Sequence, residues 1–465
     1  MTRRFVTVVL GLALRIFFRH IEVAGLERVP LAGATIFVLN HPNGLVDPVF
    51  LLCLAPRRVS FLAKSPLFKM PVIGYFVRAL DAIPVYRKQD TGEDTRKNRE
   101  TFERARALLK SGGTIAICPE GISHSKPELQ PLKTGAARIA LGAASSGKRA
   151  LDLKIVPAGL YYTAKTSFRS DALLYFGEPL SVEPVALDAD GDPSRDDVQR
   201  LSERIFEALR EVTLNTKHHE ALAIIDRAER IFSADDDGAE GGQTLTRELR
   251  LRQRFVEAYA ELRERAPERV AALDARIRKY EEELRQAGFD DPRDLSTSTL
   301  ERHAGKRRLI TRFVGFLLLA PVALVGAVIH YPAYRLAGWL ATRLARNPEH
   351  VRNPSEHPEK FEDVISTYKI MAAMLLFPLT WTALAVVSWA YLDWWWTALV
   401  AFVVAPLAGY CALHFREKFE RFVGGTRALA FFITERGFFR QLLEERRAIR
   451  REIIALGDQA MSSKQ

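Results

Sequence analysis

Residues Asn40-His41-Pro42-Asn43-Gly44-Leu45-Val46-Asp47-Pro48 put a histidine and an aspartate in one polar turn, directly after the apolar run Ala34 to Leu39. A neutral imidazole can take a proton from a hydroxyl, and a nearby carboxylate can fix its tautomer and stabilise the imidazolium that forms. A second polar turn, Cys118-Pro119-Glu120-Gly121-Ile122-Ser123, follows a second apolar run, Thr114 to Ile117. Two polar turns, each closing a short strand-like run, are the layout of an active-site rim on an α/β sheet.

Two further blocks accompany these turns. Ile83-Pro84-Val85-Tyr86-Arg87 lies between them, and Ile155-Val156-Pro157-Ala158-Gly159 follows them. The four blocks, in this order within residues 20–185, resemble the glycerolipid acyltransferase family, the membrane enzymes that acylate glycerol 3-phosphate or lysophosphatidate. That family commonly has four residues between its His and Asp, whereas this chain has five, so the His41–Asp47 contact is a point for the structure to decide. The longer spacing, and the extended block Ser123-His124-Ser125-Lys126-Pro127-Glu128-Leu129, are similar to glycerol-3-phosphate acyltransferases of fungal type. The resemblance implies that His41 is a general base acting on a glycerol hydroxyl as that oxygen attacks an acyl thioester, with Asp47 holding the imidazole. It implies that Arg87 holds the acceptor phosphate and that Glu120 and Gly121 belong to the acceptor-binding motif.

Residue chemistry gives each role a blander counterpart. An arginine can grip phosphate through two parallel hydrogen bonds, but Arg87 beside Lys88 also fits a solvated strand-end charge. Gly121 permits close backbone approach. Glu120 can bind a glycerol hydroxyl or organise Arg87, and Ser123, Lys126 and Lys133 can add donors for a phosphate. His124 is read as a supporting or solvent-facing group. Asp47 equally fits a helix N-cap before Pro48–Cys53. Pro157 is expected to shape the pocket. Lys64 and Lys69, spaced by apolar residues, suit a segment lying on lipid with its ammonium groups reaching out. The sequence has no metal-ligand spacing and no phosphate-cradling loop. No cofactor is expected; the co-substrate would be an acyl thioester of coenzyme A or acyl carrier protein.

The elements that must position these residues are legible. Strands are expected at Ala34–Leu39, Val59–Ala63, Ala82–Val85, Thr114–Cys118, Lys154–Leu160 and Leu173–Phe176, and helices at Pro48–Cys53, Lys97–Ser111 and Gly135–Ser145. They make residues 21–185 an α/β acyltransferase domain with a central sheet. Residues 1–20 are expected to form an interfacial amphipathic helix with Phe5, Val8, Val9, Leu12 and Ile16 along one side; Arg15 interrupts any signal-peptide reading. Residues 186–305 read as a charged helical region, an antiparallel pair over about 196–232 and 246–286 around an acidic tip, Asp235 to Gly238. The Asp188, Asp190 and Asp192 run has Pro193 and Gln199 where a calcium loop needs Gly and Glu, so a solvated turn is expected.

Residues 306–415 read as a membrane region. About 20 apolar residues cross the hydrocarbon core. Residues 370–392 and 394–413 meet that length as a hairpin about Asp393-Trp394-Trp395-Trp396, while 309–331 is divided by Pro321 and Gly326. Basic residues flank every end except the Asp393 turn: Lys306 to Arg312, Arg335 to Arg352, and Arg416 to Arg427. A re-entrant 309–331, broken at Pro321, keeps all of these flanks on one side, and the basic helical tail 416–465 with them.

Composition agrees. The 465-residue chain carries 67 Lys and Arg against 56 Asp and Glu, a net charge of +11, and its basic residues lie beside apolar segments, which favours an anionic membrane face over nucleic acid. Cys53, Cys118 and Cys411 are scattered and read as buried thiols. The expectation is a multi-pass membrane O-acyltransferase of phospholipid synthesis, catalytic domain on the cytoplasmic face, with glycerol 3-phosphate as acceptor. Lysophosphatidate is the alternative acceptor, and a silent membrane scaffold of the same fold the alternative class. A transporter fits poorly, because the clear spans lack the buried ionisable residues of a transport path.

Overall fold

The computed structural model describes residues 2–87, 94–146, 151–189, 191–216, 219–234, 244–295, 306–346 and 358–462. Two units emerge, Met1–Asn215 with Leu340–Met371, and Thr216–Trp339 with Ala372–Gln465. The acidic tip at Asp235–Gly238, and Arg352, lie outside the described residues.

In the first unit the continuous apolar run Ala34–Leu39 (β2) is buried along its whole length, as a central parallel strand requires. The other strands are His20–Ala24 (β1), Ser60–Lys64 (β3), Ile83–Val85 (β4), Thr114–Ile117 (β5), Leu153–Tyr162 (β6), Asp171–Phe176 (β7) and Leu180–Val182 (β8). They form one mixed sheet in the order β1-β7-β6-β2-β5-β3-β4, with β8 paired to β6. β2, β5, β3 and β4 are mutually parallel, and β6 runs parallel to β2 but antiparallel to β7 and β8. β1 and β8 were not expected. Both are short, and β1 has half-exposed faces, so neither leaves a clear alternation.

Helices flank the sheet: Thr2–Phe17 (α1), Val46–Leu54 (α2), Pro66–Lys69 (α3), Pro71–Ala79 (α4), Asn98–Lys110 (α5), Gly135–Ser145 (α6) and Arg195–Val212 (α7). The segment around Lys64 and Lys69, expected to lie on lipid, is folded as β3, α3 and α4, each helix starting on a proline at its first turn. α1 has two apolar faces. Val6, Leu14 and Phe17 are buried, and the stripe expected at an interface is outward, with Phe5 70%, Val8 69% and Leu12 58% exposed. α7 starts on Ser194, whose hydroxyl accepts from Asp197 N, and buries Val198, Leu201, Ile205 and Leu209.

The second unit corrects the helical pair. Its described helices include His219–Ser233 (α8), Leu245–Arg265 (α9) and Pro267–Gln286 (α10). The stretch 196–232 is interrupted after Val212, and 246–286 is interrupted at Ala266, because Pro267 cannot donate a helical hydrogen bond and can only begin a new helix. Three long apolar helices follow: Lys306–Ala345 (α11), Pro358–Leu392 (α12) and Trp395–Thr434 (α13). Phe313–Ala345, Val364–Leu392 and Trp395–Thr434 are each long and apolar enough to cross a membrane. The break expected at Pro321 is absent: α11 runs through Pro321 and Pro332. In apolar surroundings a broken helix would leave several backbone groups unpaired, whereas a proline inside it costs one bond. The final helix, Arg436–Ser462 (α14), is part of a core rather than a loose tail. Its Phe439, Leu442, Ile449 and Ile453 pack with Ile277, Tyr280 and Leu284 of α10, and Arg276 reaches Glu445 and Glu452 at 2.7 Å.

Gly159 shows how tightly β6 and α7 meet. A Cβ there would lie 1.8 Å from the Val212 carbonyl oxygen, a backbone atom that cannot rotate away. Gly159→Ala is expected to destabilise by about 3 kcal/mol or more, at the upper end of overpacking costs. A thermal midpoint for Gly159→Ala equal to wild type, measured on the solubilised full chain, would refute this packing.

Candidate active site

β2, β5 and β4 end at Leu39, Ile117 and Val85, all at the same edge of the sheet. Open α/β sheets bind ligands outside such carboxyl ends. Asn40 extends the pairing one step beyond β2: its amide accepts from Leu160 N at 2.8 Å and donates to Leu160 O at 3.0 Å. The loop that follows therefore leaves the sheet from a fixed point.

Asp47 is buried in the first turn of α2. Its Oδ2 accepts from His41 Nδ1 at 2.9 Å and from Asn43 N at 2.7 Å, and its Oδ1 accepts from the Tyr162 hydroxyl at 2.6 Å. The extra residue between His41 and Asp47 therefore does not prevent their contact. It does displace the capping role. α2 begins at Val46, its N-cap Leu45 has no side-chain cap, and the Asp47 carboxylate closes the preceding turn through Asn43 instead. Because Asp47 only accepts, it assigns the proton to Nδ1 and leaves Nε2 of a neutral His41 as the basic nitrogen.

Burial pulls the pKa of His41 down, but the neighbouring Cys118 thiol and the Asp47 carboxylate act oppositely and hold it well above the ordinary histidine value. Burial first, and then Asp47, keep the Tyr162 phenol protonated far above its usual range, so it stays a donor. Cys118 is a neighbour of the His41 ring. It follows directly on β5, as His41 follows two residues after β2, and Val38 pairs with Ile117.

The second turn is tied to the first. His124 N donates to His41 O at 3.1 Å, and Gly44 N donates to Ser123 Oγ at 3.0 Å. Gly121 has φ +73°, which a side chain would resist, and a Cβ there would lie 3.3 Å from Lys133 Cγ. Glu120 is buried. Its Oε2 accepts from His124 Nε2 at 2.5 Å and from Gln130 N at 2.7 Å, while Oε1 has no partner. Glu120 thus engages His124 rather than Arg87, and His124 faces a carboxylate rather than solvent. Arg87 Nη1 donates to Gly121 O at 2.7 Å. Lys133 N donates to Pro119 O at 2.7 Å and its side chain is exposed beside Gly121. His41, Asp47, Arg87, Glu120, Gly121, Ser123 and Lys133 are thereby gathered on one rim. Pro157 is not: it pairs with Val38 inside the sheet, and its carbonyl accepts from Gly177 N.

Tyr162, Asn43 and Lys165 were not anticipated, and Cys118 was read only as a buried thiol. Lys165 Nζ donates to Pro42 O at 2.9 Å and also meets Ser125 Oγ. The available signal for Tyr162 was its place at the end of a strand next to β2; Lys165 lies in a loop and had none.

Residues 20–161 match the acyltransferase family model, and residues 230–460 match the model of the glycerol-3-phosphate acyltransferase 2 C-terminal domain. The chain is thus similar to glycerolipid acyltransferases over two separate stretches. Glycerol-3-phosphate O-acyltransferase 2 of Saccharomyces cerevisiae is 27% identical over 62% of this chain and 38% of its own length. Glycerol-3-phosphate O-acyltransferase 1 of the same yeast is 27% identical over 81% of this chain and 60% of its own. The chain thus spans less than two thirds of the length of either relative. A solved structure, the 1-acyl-sn-glycerophosphate acyltransferase of Thermotoga maritima, covers 45% of this chain and 79% of its own at 19% identity, with a TM-score of 0.33.

The raised pKa of His41 has two consequences. A base must be neutral, so any activity it supports rises with pH along a limb displaced to the alkaline side of an ordinary histidine, about 6.5. The same shift stabilises the fold fully below that unfolded value and the contribution is lost as pH rises through the folded one. In an NMR titration the His41 midpoint is expected above 6.5, moving down in Cys118→Ala and in Asp47→Asn. A wild-type midpoint at or below the ordinary value would contradict this electrostatic picture.

Proposed function

We propose that the chain is a membrane acyltransferase that moves a fatty acyl group from a coenzyme A or carrier-protein thioester to a hydroxyl of glycerol 3-phosphate, in phospholipid synthesis. The observation that carries the reading is the buried Asp47 carboxylate holding His41 at 2.9 Å with its basic Nε2 at the rim. His41 Nε2 takes the hydroxyl proton as the oxygen attacks the thioester carbonyl, and the departing thiolate receives that proton when the tetrahedral adduct collapses. Arg87 and Lys133, on either side of the Gly121 backbone, are the phosphate ligands in this reading. The partnerless Glu120 Oε1 is an acceptor suited to a second glycerol hydroxyl. Lysophosphatidate is the second reading. The match of 230–460 to a glycerol-3-phosphate acyltransferase domain favours the first, since a lysophosphatidate enzyme of Brassica napus matches only 32% of the chain. A silent scaffold is disfavoured by the intact His41–Asp47 pair.

The proposed placement is multi-pass, with the catalytic unit on the cytoplasmic face against anionic lipid. The exposed Phe5, Val8 and Leu12 of α1, with Val72 and Tyr75 of α4, form an apolar surface of the catalytic unit that supports lipid contact. Two packings support a topology in which α11 does not cross. Within the first unit, Ile370 packs on the catalytic core, so the start of α12 lies on the side of that core. Within the second, α14 shares one core with α8 and α10, so α11, α12 and α13 together cross an even number of times, as two crossings by α12 and α13 would give.

Three measurements follow. On purified protein with a panel of acceptors, thiol release with product analysis is expected to show acyl glycerol phosphate, and His41→Ala to lose about 10²–10⁴ in rate while folding normally. Near-normal turnover by folded His41→Ala removes the mechanism. Arg87→Ala is expected to weaken the phosphorylated acceptor by about 2–5 kcal/mol in apparent affinity, with the thioester little changed and Arg87→Lys recovering only part. An effect confined to the thioester reassigns the residue. Single cysteines on a background lacking Cys53, Cys118 and Cys411 are expected to react with an impermeant label on the far side only within 393–396. Far-side labelling at Arg346 would mean that α11 crosses.

A further inference from the structure

The loop carrying His41 and Asp47 is held from a third direction, by the foot of α12. Leu45 N donates to Thr367 Oγ1 at 3.2 Å, across 322 positions of sequence. Ser366 Oγ donates to Lys165 O at 2.7 Å, and Lys369 Nζ donates to Thr166 O at 2.8 Å. Lys165 passes the contact on. Its Nζ donates to Pro42 O at 2.9 Å, and its carbonyl also lies 3.4 Å from Asn43 Nδ2. Ser366 is fully buried and Thr367 nearly so, while Ile370, one turn on, packs against the cluster that holds Val46 and Phe50.

These contacts meet a specific need. The first N–H groups of a helix have no partner within it, and Leu45, at the N-cap of α2, brings no capping side chain of its own. The Thr367 hydroxyl supplies an acceptor two residues before Asp47. Ser366 and Thr367 are adjacent on a helix that is otherwise long and apolar, and both hydroxyls engage the rim of the site. A Ser or Thr side chain in such a helix more simply bonds the carbonyl four residues back, as Thr380 and Thr382 do in the same helix.

We infer that Ser366, Thr367 and Lys369 are positioning residues: the foot of α12 straps the His41–Asp47 loop, and proton abstraction depends on that foot being seated. The inference rests on the acyl-transfer reading for its kinetic consequence, though not for its structural one. None of the three touches the reacting atoms. They act through Leu45, Lys165 and Thr166, which fix where α2 begins and hence where the Asp47 carboxylate meets His41. A displacement of order 1 Å in such a pair costs about a hundredfold in rate.

The test uses the full chain in lipid nanodiscs, with Thr367→Val, Thr367→Ser and Ser366→Ala. Thr367→Val keeps the shape and removes the acceptor. It is expected to lower kcat about ten- to hundredfold, with the KM of both substrates nearly unchanged, whereas Thr367→Ser retains most of the wild-type rate. Hydrogen exchange at the Leu45 amide is expected to accelerate in Thr367→Val and to stay slow in Thr367→Ser. Wild-type kcat together with wild-type exchange at Leu45 in Thr367→Val would overturn the strap. So would a loss shared equally by Thr367→Ser, which keeps the hydroxyl. If wild-type protein acylates no acceptor, the acyl-transfer reading falls, and the exchange comparison alone then decides for or against the strap. If Thr367→Val fails to fold, Ser366→Ala decides by the same two readouts, exchange being followed across residues 163–167.

Discussion

The constraint on which the catalytic unit depends is the burial of one carboxylate. A buried Asp47 must be met by donors on both oxygens, since a charge left unpaired there would cost several kcal/mol. Its three donors come from different parts of the chain: the His41 ring, the Asn43 backbone, and Tyr162 at the end of β6. Satisfying the carboxylate therefore fixes the loop after β2, the first turn of α2 and the far end of β6 together. The imidazole is oriented as a by-product of electrostatic necessity. Asn40 adds a second lock between the same two strands through a paired amide contact to Leu160.

Glu120 is also buried but is treated differently. One oxygen is satisfied by His124 and Gln130, and the other is not. The two acids on one rim are thus unequal. Asp47 is saturated and can only support its neighbours, whereas Glu120 keeps an unused acceptor in a place where an unmet acceptor is costly. A ligand bringing a hydroxyl donor to Glu120 would relieve that cost. The Glu120–His124 pair stands beside the Asp47–His41 pair, joined to it by the His124 N to His41 O bond.

What was legible in the sequence follows from locality. The strands β2 and β5 and helix α6 emerge within a residue of expectation, because continuous apolar runs closed by polar turns leave little choice. The rim residues converge because the turns after β2, β4 and β5 carry most of them, and Lys133 returns to the last of these turns through its N–H bond to Pro119 O. What was not legible depends on contacts distant in sequence. Tyr162 and Lys165 reach the 41–47 loop over more than a hundred positions; Tyr162 has only its place at a strand end to announce it, and Lys165 nothing. α1 gives a subtler case. The apolar stripe read from its period faces outward, as an interfacial helix requires, but the second apolar face, Val6, Leu14 and Phe17, which the core takes, was not read from it. Pro321 misled in the opposite sense, because a breaker in water is tolerated inside an apolar helix.

The polar foot of α12 bears on why the catalytic loop is not held by apolar packing alone. Apolar contacts such as Ile370 against the core are nondirectional: they fix that two surfaces meet, and they tolerate small slides and rotations. The general-base chemistry proposed for His41 would not tolerate them, since proton transfer needs heavy atoms within about 2.6–3.2 Å. Hydrogen bonds from Ser366 and Lys369, and to Thr367, each specify a distance and a direction, and three in one helical turn fix the rotation of the helix as well as its depth. Hydroxyls at the start of an apolar helix would otherwise be a cost. Here they convert a greasy contact into a registered one, at the point where a long apolar helix leaves the rim of the sheet.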